Sequence, residues 1–169
     1  MSKRVLIVDD DPAQRRILEE TIKRLGFETK TCGSGEQALQ ILEGDERATI
    51  SLVLLDLVMP GVDGMTVLDH VANKPGMPPI IVQTAHGSIE TAINAMRAGA
   101  IDFVVKPASP ERLDVSMKSA LKIEALTGEI NRIKKKAEGT LSFGDLVLHG
   151  DAMQRVITLG KRAAASHIP

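Results

Sequence analysis

The sequence predicts an α/β domain in which a five-stranded parallel sheet is covered by helices on both faces. Short β-branched or leucine-rich runs alternate five times with longer amphipathic stretches along the first 108 residues. The first, third and fourth runs are almost continuously apolar, which is typical of parallel strands buried on both sides. Regular β-α alternation favours parallel strands joined by right-handed crossovers. We expect strands at residues 3–8, 28–32, 52–55, 80–84 and 102–105.

Capping residues mark where each predicted helix begins and ends. Asp11 precedes Pro12, the pattern of an N-cap followed by proline at the first helical position, and Gly26 is placed to end that helix. Ser34 and Gln37 have the spacing of a capping box at the second helix. The remaining boundary residues are Asp63, Ser88 and Ser109 at helix starts and Gly99 at the end of the fourth helix.

The composition excludes several classes of function. The chain has 169 residues, a net charge of -1 and a pI near 6.4, which argues against bulk binding to nucleic acid. Trp and Tyr are absent, so aromatic stacking on bases is not expected. A single cysteine, Cys32, makes an internal disulfide impossible. The first apolar run, Val5 to Val8, is too short for a signal peptide or a membrane span, so we expect a cytoplasmic protein without a membrane partner.

Acidic residues gather where two of the predicted strands end. Asp9, Asp10 and Asp11 follow the first strand, and Asp56 follows the third. In open parallel sheets, function lies at the carboxyl ends of the strands, beside the point where the strand order reverses. Carboxylates crowded there oppose one another's ionisation unless a cation is present, and an oxygen-only set favours Mg²⁺. Asp11 is explained more simply as the N-cap of the first helix than as a metal ligand.

The fourth and fifth strands end in residues that complement an acidic cluster. Thr84 offers a hydroxyl, and the small Ala85 after it leaves space for a ligand. Lys106, followed by Pro107, places an ammonium at the same edge of the sheet. Asp56 precedes a Pro-Gly turn that would hold its carboxylate exposed at the strand tip. These groups are what an aspartyl phosphate requires: a nucleophile, cations for the phosphoryl oxygens and a hydroxyl donor.

In this order and at these spacings, the motifs resemble the receiver domains of bacterial two-component response regulators. The resemblance covers roughly residues 3–120 and implies a receiver domain over 1–120. It also implies the flavodoxin-like fold of the CheY-like domains, with strand order 2-1-3-4-5. Four segments carry it: Val8-Asp9-Asp10, Asp56 with Met59-Pro60-Gly61 and Asp63-Gly64, Thr84-Ala85, and Phe103-Val104-Val105-Lys106-Pro107.

The resemblance implies a role for each of these positions. Asp56 would accept a phosphoryl group from a sensor histidine kinase. Mg²⁺ would be held by the carboxylates of Asp9, Asp10 and Asp56 and by the backbone carbonyl of Val58. The remaining phosphoryl-contact and switch positions would be Thr84 with Ala85, Phe103, which moves together with Thr84, and Lys106, joined to Pro107 by a cis peptide bond.

The fifth helix is predicted to continue past the receiver as a linker over residues 110–138. Apolar residues recur in its second half at spacings of 3, 4, 3 and 4, which gives a coiled-coil seam of about two heptads. We therefore expect a homodimer through this seam and, as the resemblance implies, through the face of the fourth helix, fifth strand and fifth helix. The seam residues are Ile123, Leu126, Ile130, Ile133 and Ala137.

Residues 139–169 resemble the opening of the AAA+ ATPase domain of sigma-54-dependent transcriptional activators of the nitrogen-regulator type. The resemblance rests on the order of receiver and heptad helix and on the amphipathic stretch from Asp151 to Val156. It implies that the chain is part of a longer activator. That activator would bind sigma-54 RNA polymerase and DNA through domains that this segment lacks. Phosphorylation would make or break the dimer and so control assembly of the output domains.

Two other functions fit parts of the sequence. A constitutive dimerisation module would use the heptad helix and leave the acidic pocket idle. A phosphatase with an aspartyl-phosphate intermediate would need a second Asp two residues after Asp56, but Val58 stands there and no general acid is available. We therefore expect a phosphoacceptor domain and not an enzyme, with at most self-catalysed phosphotransfer and dephosphorylation. His86, two residues after Thr84, is explained more simply as an exposed loop residue than as a site residue.

Overall fold

A computed structural model describes residues 2–138 of the chain. The predicted ATPase segment, residues 139–169, lies outside the described residues. The chain divides into two compact units, Met1–Ala125 and Leu126–Pro169, which are described separately. The elements are β1 (Arg4–Val8), α1 (Pro12–Arg24), β2 (Glu28–Cys32), α2 (Gly35–Glu43), a 3-10 helix (Asp45–Thr49), β3 (Leu52–Asp56), α3 (Gly64–Val71), β4 (Ile80–Thr84), α4 (Ile89–Arg97), β5 (Asp102–Val105) and α5 (Pro110–Glu138).

The five strands form one parallel sheet in the order β2-β1-β3-β4-β5. This confirms the predicted fold class and strand order. The strand order reverses at β1, because β2 lies on one side of it and β3 on the other. The carboxyl ends of β1, β3, β4 and β5 therefore lie next to one another at a single edge. Two strand boundaries differ from the prediction by one residue: β1 begins at Arg4, and Asp56 is the last residue of β3 and does not follow the strand.

Alternate residues of the strands supply two separate hydrophobic clusters. One cluster contains Val8 and Leu55 and packs against α2, α3 and α4, for example through Val67 of α3. The other contains Ile7 and Ile81 and packs against α1 and α5. The sheet is therefore covered on both faces, as the continuous apolar runs indicated.

The helix caps agree with the capping residues read from the sequence. Asp11 accepts hydrogen bonds from the backbone N–H groups of residues 13 and 14, and Pro12 is the first residue of α1. Ser34, Asp63 and Ser88 each accept from the N–H three residues later. The capping box at α2 differs in one contact. The Gln37 side chain accepts from the N–H of Gly33, whereas the motif would direct it to Ser34.

Helix α5 extends to Glu138, as predicted from its periodicity. Within the first unit, Leu113 and Met117 of α5 are buried against the sheet. The predicted seam residues are large apolar side chains on the surface of the single chain, with exposed fractions of 50–61% for Ile123, Leu126, Ile130 and Ile133. Between residues 2 and 138, no helix combines the length and the apolar character that crossing a membrane requires.

Gly64 lets the start of α3 lie close to the end of β3, and a larger residue at this position would block that contact. A Cβ atom at this position would lie 2.1 Å from the Asp56 carbonyl oxygen and 2.7 Å from the Leu57 Cα. Both are backbone atoms, so relief would require α3 to move away from the end of β3. We expect Gly64→Ala to lower the free energy of unfolding by about 2–3 kcal/mol, measured by urea denaturation.

Gly128→Ala provides the matched control. Gly128 lies in the interior of α5, and a Cβ there would meet nothing within 4 Å. Because Ala favours helix over Gly by about 1 kcal/mol, this substitution should increase helicity without loss of stability. A Gly64→Ala protein as stable as the wild type would contradict the prediction. It would show that α3 can move away from the end of β3 without a loss of unfolding free energy.

Candidate functional site

Three carboxylates converge at the edge where the strands end. Asp9, directly after β1, and Asp56, at the end of β3, are both buried, and Asp10 is exposed. Each offers one carboxylate oxygen within 4.8 Å of the oxygens of the other two. The predicted acidic cluster is therefore present, but Asp56 is buried, so the expectation that the Pro-Gly turn holds its carboxylate exposed is wrong. Asp11 lies at the rim of the same cleft, but its carboxylate caps α1.

Lys106 lies against two of these carboxylates. Its Nζ is 3.1 Å from Asp56 Oδ2 and also donates to Asp9 Oδ2. The Lys106 side chain is 15% exposed, so the ion pairs are largely shielded from water. Lys106 follows β5, and β4 separates β5 from β3, so the lysine side chain reaches across the end of β4.

Backbone hydrogen bonds fix the orientation of both buried carboxylates. Asp9 Oδ1 accepts from the N–H of Asp11 at 2.9 Å, and Asp56 Oδ1 accepts from the N–H of Val58 at 3.2 Å. Arg15 of α1 donates to the Asp9 carbonyl oxygen at 2.6 Å. Each carboxylate thus keeps its second oxygen for Lys106.

Burial and the neighbouring charges shift the pKa values of both Asp56 and Lys106. Burial raises the pKa of the Asp56 carboxyl above its ordinary value, and the Asp9 charge adds to this, although hydrogen bonds from Lys106 and Val58 oppose it. Burial lowers the pKa of Lys106, but its contacts with Asp9 and Asp56 outweigh that effect and raise the pKa. Lys106 is therefore a stable cation at neutral pH, and Asp56 is a carboxylate held in an unfavourable environment.

The donor set fits a hard divalent cation. Three carboxylates face a single ammonium, which leaves an excess of negative charge in a shielded cleft. All the side-chain donors are oxygens, two of the carboxylates are buried, and the third opens to solvent, where Mg²⁺ keeps its waters. Asp9, Asp10 and Asp56 would hold the ion.

The comparisons with known proteins agree with this geometry. The sequence profile of the response regulator receiver domain matches residues 5–118. The chain belongs to the response regulator receiver domain family. It is therefore a receiver domain of two-component signalling, and this confirms the resemblance drawn from the four motifs.

Relatives show which regulators this receiver resembles. The regulatory protein AtoC of Escherichia coli (strain K12) is 31% identical over 153 residues, which is 90% of this chain and 32% of AtoC. The crystal structure of NtrX from Brucella abortus in complex with ADP superposes with a TM-score of 0.71 at 30% identity, covering 98% of this chain and 36% of NtrX. A receiver domain from Clostridium thermocellum superposes with a TM-score of 0.68 at 26% identity, covering 74% of this chain and 98% of its own. This chain thus spans about a third of the length of AtoC and NtrX.

The structure places the other predicted site residues around the receiver's cleft. Ala85 and Pro107 line it together with Val58 and His86, and the Lys106–Pro107 peptide is cis, as the resemblance implied. His86 is an exposed loop residue, as expected, but it also lines the cleft, so it lies nearer the site than the sequence indicates.

Thr84 and Phe103 lie on the face of the sheet that is covered by α2, α3 and α4. Thr84 is buried, and its Oγ1 accepts from the N–H of His86 at 3.2 Å. Phe103 packs against the hydrophobic cluster beneath α2, α3 and α4. Its partner in β4 is Val82, two residues before Thr84, so both side chains point to the same side. The predicted switch residues are thus near neighbours.

Three residues around the site were missed by the sequence analysis, and one of them, Gln14, lines the cleft. Arg15 contacts the backbone of Asp9, and no local pattern distinguishes it from its neighbour Arg16. Gln83 is the Cα partner of Asp56 across β3 and β4 and is buried. A glutamine directly after the apolar run Ile80 to Val82, inside the same predicted strand, is a signal that could have found it.

The raised pKa of Asp56 predicts how stability depends on pH. In the folded state the proton is bound more tightly than in the unfolded state, so ionisation of Asp56 costs folding free energy as the pH rises through 3.8. Asp56→Asn cannot ionise. We expect it to raise the Tm at pH 7 without Mg²⁺, and the gain should disappear below pH 3.8, measured by thermal unfolding.

Asp63→Asn is the matched control of opposite sign. Hydrogen bonds from the backbone and side chain of Thr66 lower the pKa of Asp63, so its charge stabilises the folded state. Asp63→Asn should therefore lower the Tm slightly at pH 7, with a difference that fades as the carboxyl protonates. A lower Tm for Asp56→Asn at pH 7 would contradict the stated electrostatics.

Proposed function

We propose that Asp56 accepts a phosphoryl group from a sensor histidine kinase and so acts as a phosphorylation-dependent switch. The observation that carries this proposal is the Asp56 carboxylate, buried at a strand end, with Lys106 Nζ at 3.1 Å and two further carboxylates within 4.8 Å. Membership of the receiver family supports a histidine kinase as donor. The site serves as an acceptor and turns over no separate substrate, since Val58 stands where a general acid would be needed.

The chemistry is transfer between two nucleophiles. An Asp56 carboxylate oxygen attacks phosphorus, the bond to the donor's histidine nitrogen breaks, and its electron pair stays on that nitrogen. Lys106 neutralises charge on the transferring group and leaves its ion pair with Asp56 to do so. Mg²⁺, when bound by Asp9, Asp10, Asp56 and the Val58 carbonyl, supplies further neutralisation of the phosphoryl oxygens.

Phosphorylation of Asp56 would alter the surface of the domain through residues of β4 and β5. In this proposal Thr84 moves towards the phosphoryl group, and Phe103 turns into the space that is left. The face formed by α4, β5 and α5 then pairs with a second copy of the chain. Exposed apolar side chains on that face support this part of the proposal: Ile89, Ile93, Met96, Val105 and Val115.

The domains that the switch would control belong to a longer protein. AtoC and NtrX extend well beyond the matched segment, which supports an activator with further domains. We propose that such domains bind sigma-54 RNA polymerase and DNA in the cytoplasm, and that the segment described here does not. Dimerisation through the linker part of α5 would couple phosphorylation of the receiver to the assembly of these domains.

A constitutive dimer is the second candidate. The observation that favours it is the exposed seam on α5, where four large apolar side chains are half exposed or more in the single chain. In that case the seam would pair regardless of phosphorylation.

Phosphorylation is tested by intact mass. Incubation of the wild type with Mg²⁺ and a small phosphodonor should add the mass of one phosphoryl group, and chelation of Mg²⁺ should abolish the adduct. Asp56→Asn should gain nothing, because its amide is not a nucleophile for phosphorus. An adduct that persists in Asp56→Asn, or its absence from the wild type, would refute the proposal. Asp63→Asn should be phosphorylated as the wild type is.

The seam is tested by sedimentation. Ile130→Asp places a charge in the seam and should weaken dimerisation at least about tenfold, because a desolvated carboxylate opposes pairing. Asn131→Asp adds the same charge next to the seam and is the matched control, since Asn131 is also exposed. Addition of beryllofluoride separates the two functions. A dimer dissociation constant that changes when beryllofluoride is added supports the switch. An unchanged dissociation constant supports the constitutive module.

A further inference from the structure

Gln83 is a buried polar residue in the strand that separates Asp56 from Lys106. The three residues before it in β4 are Ile80, Ile81 and Val82, and its own exposed fraction is 2%. Its side-chain Nε2 has no hydrogen-bond partner among the residues that the structure describes. A buried amide that donates to nothing is unfavourable, so its presence calls for an acceptor.

The register of the sheet places Gln83 beside the phosphoacceptor. Gln83 and Asp56 are Cα partners across β3 and β4. Ile81 and Leu54, two residues before each of them, both belong to the cluster beneath α1 and α5. Since side chains two apart in a strand point the same way, Gln83 and Asp56 face the same side of the sheet and are adjacent.

Lys106 passes on the other side of Gln83. Val104 is the Cα partner of Gln83 in β5 and belongs to the same cluster, and Lys106 lies two residues after it. To reach Asp56, the Lys106 side chain crosses the end of β4 on this face. Gln83 therefore lies between Asp56 and Val104 in the sheet, on the face where the Lys106 side chain crosses β4 to reach the carboxylate.

The Asp56 carboxylate has capacity for another donor. Its Oδ1 accepts from the Val58 N–H and its Oδ2 from Lys106, which uses two of about four acceptor positions. Because the two residues are direct neighbours in the sheet, rotation about the Gln83 side-chain bonds is the movement by which we expect an amide N–H to reach the Asp56 carboxylate.

We propose that Gln83 Nε2 donates a hydrogen bond to the Asp56 carboxylate and thereby shortens the lifetime of the phosphorylated state. This inference rests on the proposed function of Asp56 and deepens it. Gln83 would then be a further residue of the site, and it would set the lifetime of phosphorylated Asp56.

The direction follows from where charge appears during hydrolysis. Water attacks phosphorus, the bond between phosphorus and the Asp56 oxygen breaks, and its electron pair returns to the carboxylate. A proton from the water passes to solvent, and inorganic phosphate leaves. A donor aimed at the carboxylate stabilises the charge that develops on it, so it accelerates hydrolysis. The same donor stabilises the free carboxylate and so retards its phosphorylation.

Gln83→Met tests the donor with little change in shape. Met keeps the length and burial of the side chain and removes the amide. After loading with Mg²⁺ and a small phosphodonor and removal of the donor, the adduct is followed by intact mass. We expect the Gln83→Met adduct to decay about tenfold more slowly than the wild type and to form at least as fast, since a hydrogen bond to a charged group is worth about that factor.

Ile81→Met is the matched control. Ile81 is fully buried on the same face of the same strand, two residues before Gln83, and its replacement removes no polar group. Its adduct should decay at the wild-type rate. Equal lifetimes for Gln83→Met and the wild type would overturn the inference, as would equal lengthening in both variants, which would indicate packing alone.

A measurement on the wild type keeps the inference testable if Gln83→Met does not fold. In a ¹⁵N-labelled protein, the side-chain NH₂ signal of Gln83, assigned through its own backbone, should shift when beryllofluoride and Mg²⁺ are added. The exposed Gln40 serves as reference and should not shift. An unmoved Gln83 signal overturns the inference and leaves the proposed function intact if the wild type still forms its adduct on Asp56. A wild type that forms no adduct refutes both.

Discussion

The ammonium of Lys106 lies against the carboxylates of Asp9 and Asp56, and this contact constrains the rest of the domain. Two buried carboxylates, with a third close by, are costly to hold in a folded protein unless a cation accompanies them. Lys106 supplies part of that charge from β5, on the far side of β4. The arrangement requires β1, β3, β4 and β5 to end at one edge, which the parallel sheet order provides.

Backbone packing keeps the acidic site at the strand ends. The N–H of Leu57 donates to the carbonyl of Gln83 at 3.2 Å, and the N–H of Gly64 donates to the carbonyl of Leu57 at 3.0 Å. These bonds tie the turn after β3 both to β4 and to the start of α3. The absence of a side chain at Gly64 allows this close approach, so the position of Asp56 depends on a glycine that does not contact its carboxylate.

The first half of α5 connects the site to a surface. Asp102 at the start of β5 accepts from Ser116 and pairs with Arg112 at 3.2 Å, which fixes α5 against the strand that leads to Lys106. Burial raises the pKa of Asp102, but hydrogen bonds from Ser116, Phe103 and Arg112 outweigh it and lower the pKa, so this anchor is charged at neutral pH. The strand that leads to Lys106 is thus held by direct contacts to the helix that carries the exposed apolar residue Val115.

The sequence by itself determined the alternation of strands and helices, the caps at Asp11, Ser34, Asp63 and Ser88, and the residues of the acidic site. These features depend on local periodicity and on the side chains at strand ends. Both can be read from the order of residues along the chain. Tertiary structure alone decided that Lys106 reaches across β4 and that Gln83 lies beside Asp56, with a side-chain Nε2 that has no partner within residues 2–138. Both facts arise from pairing between strands far apart in the chain, where the register sets which side chains become neighbours, and no local pattern encodes that register.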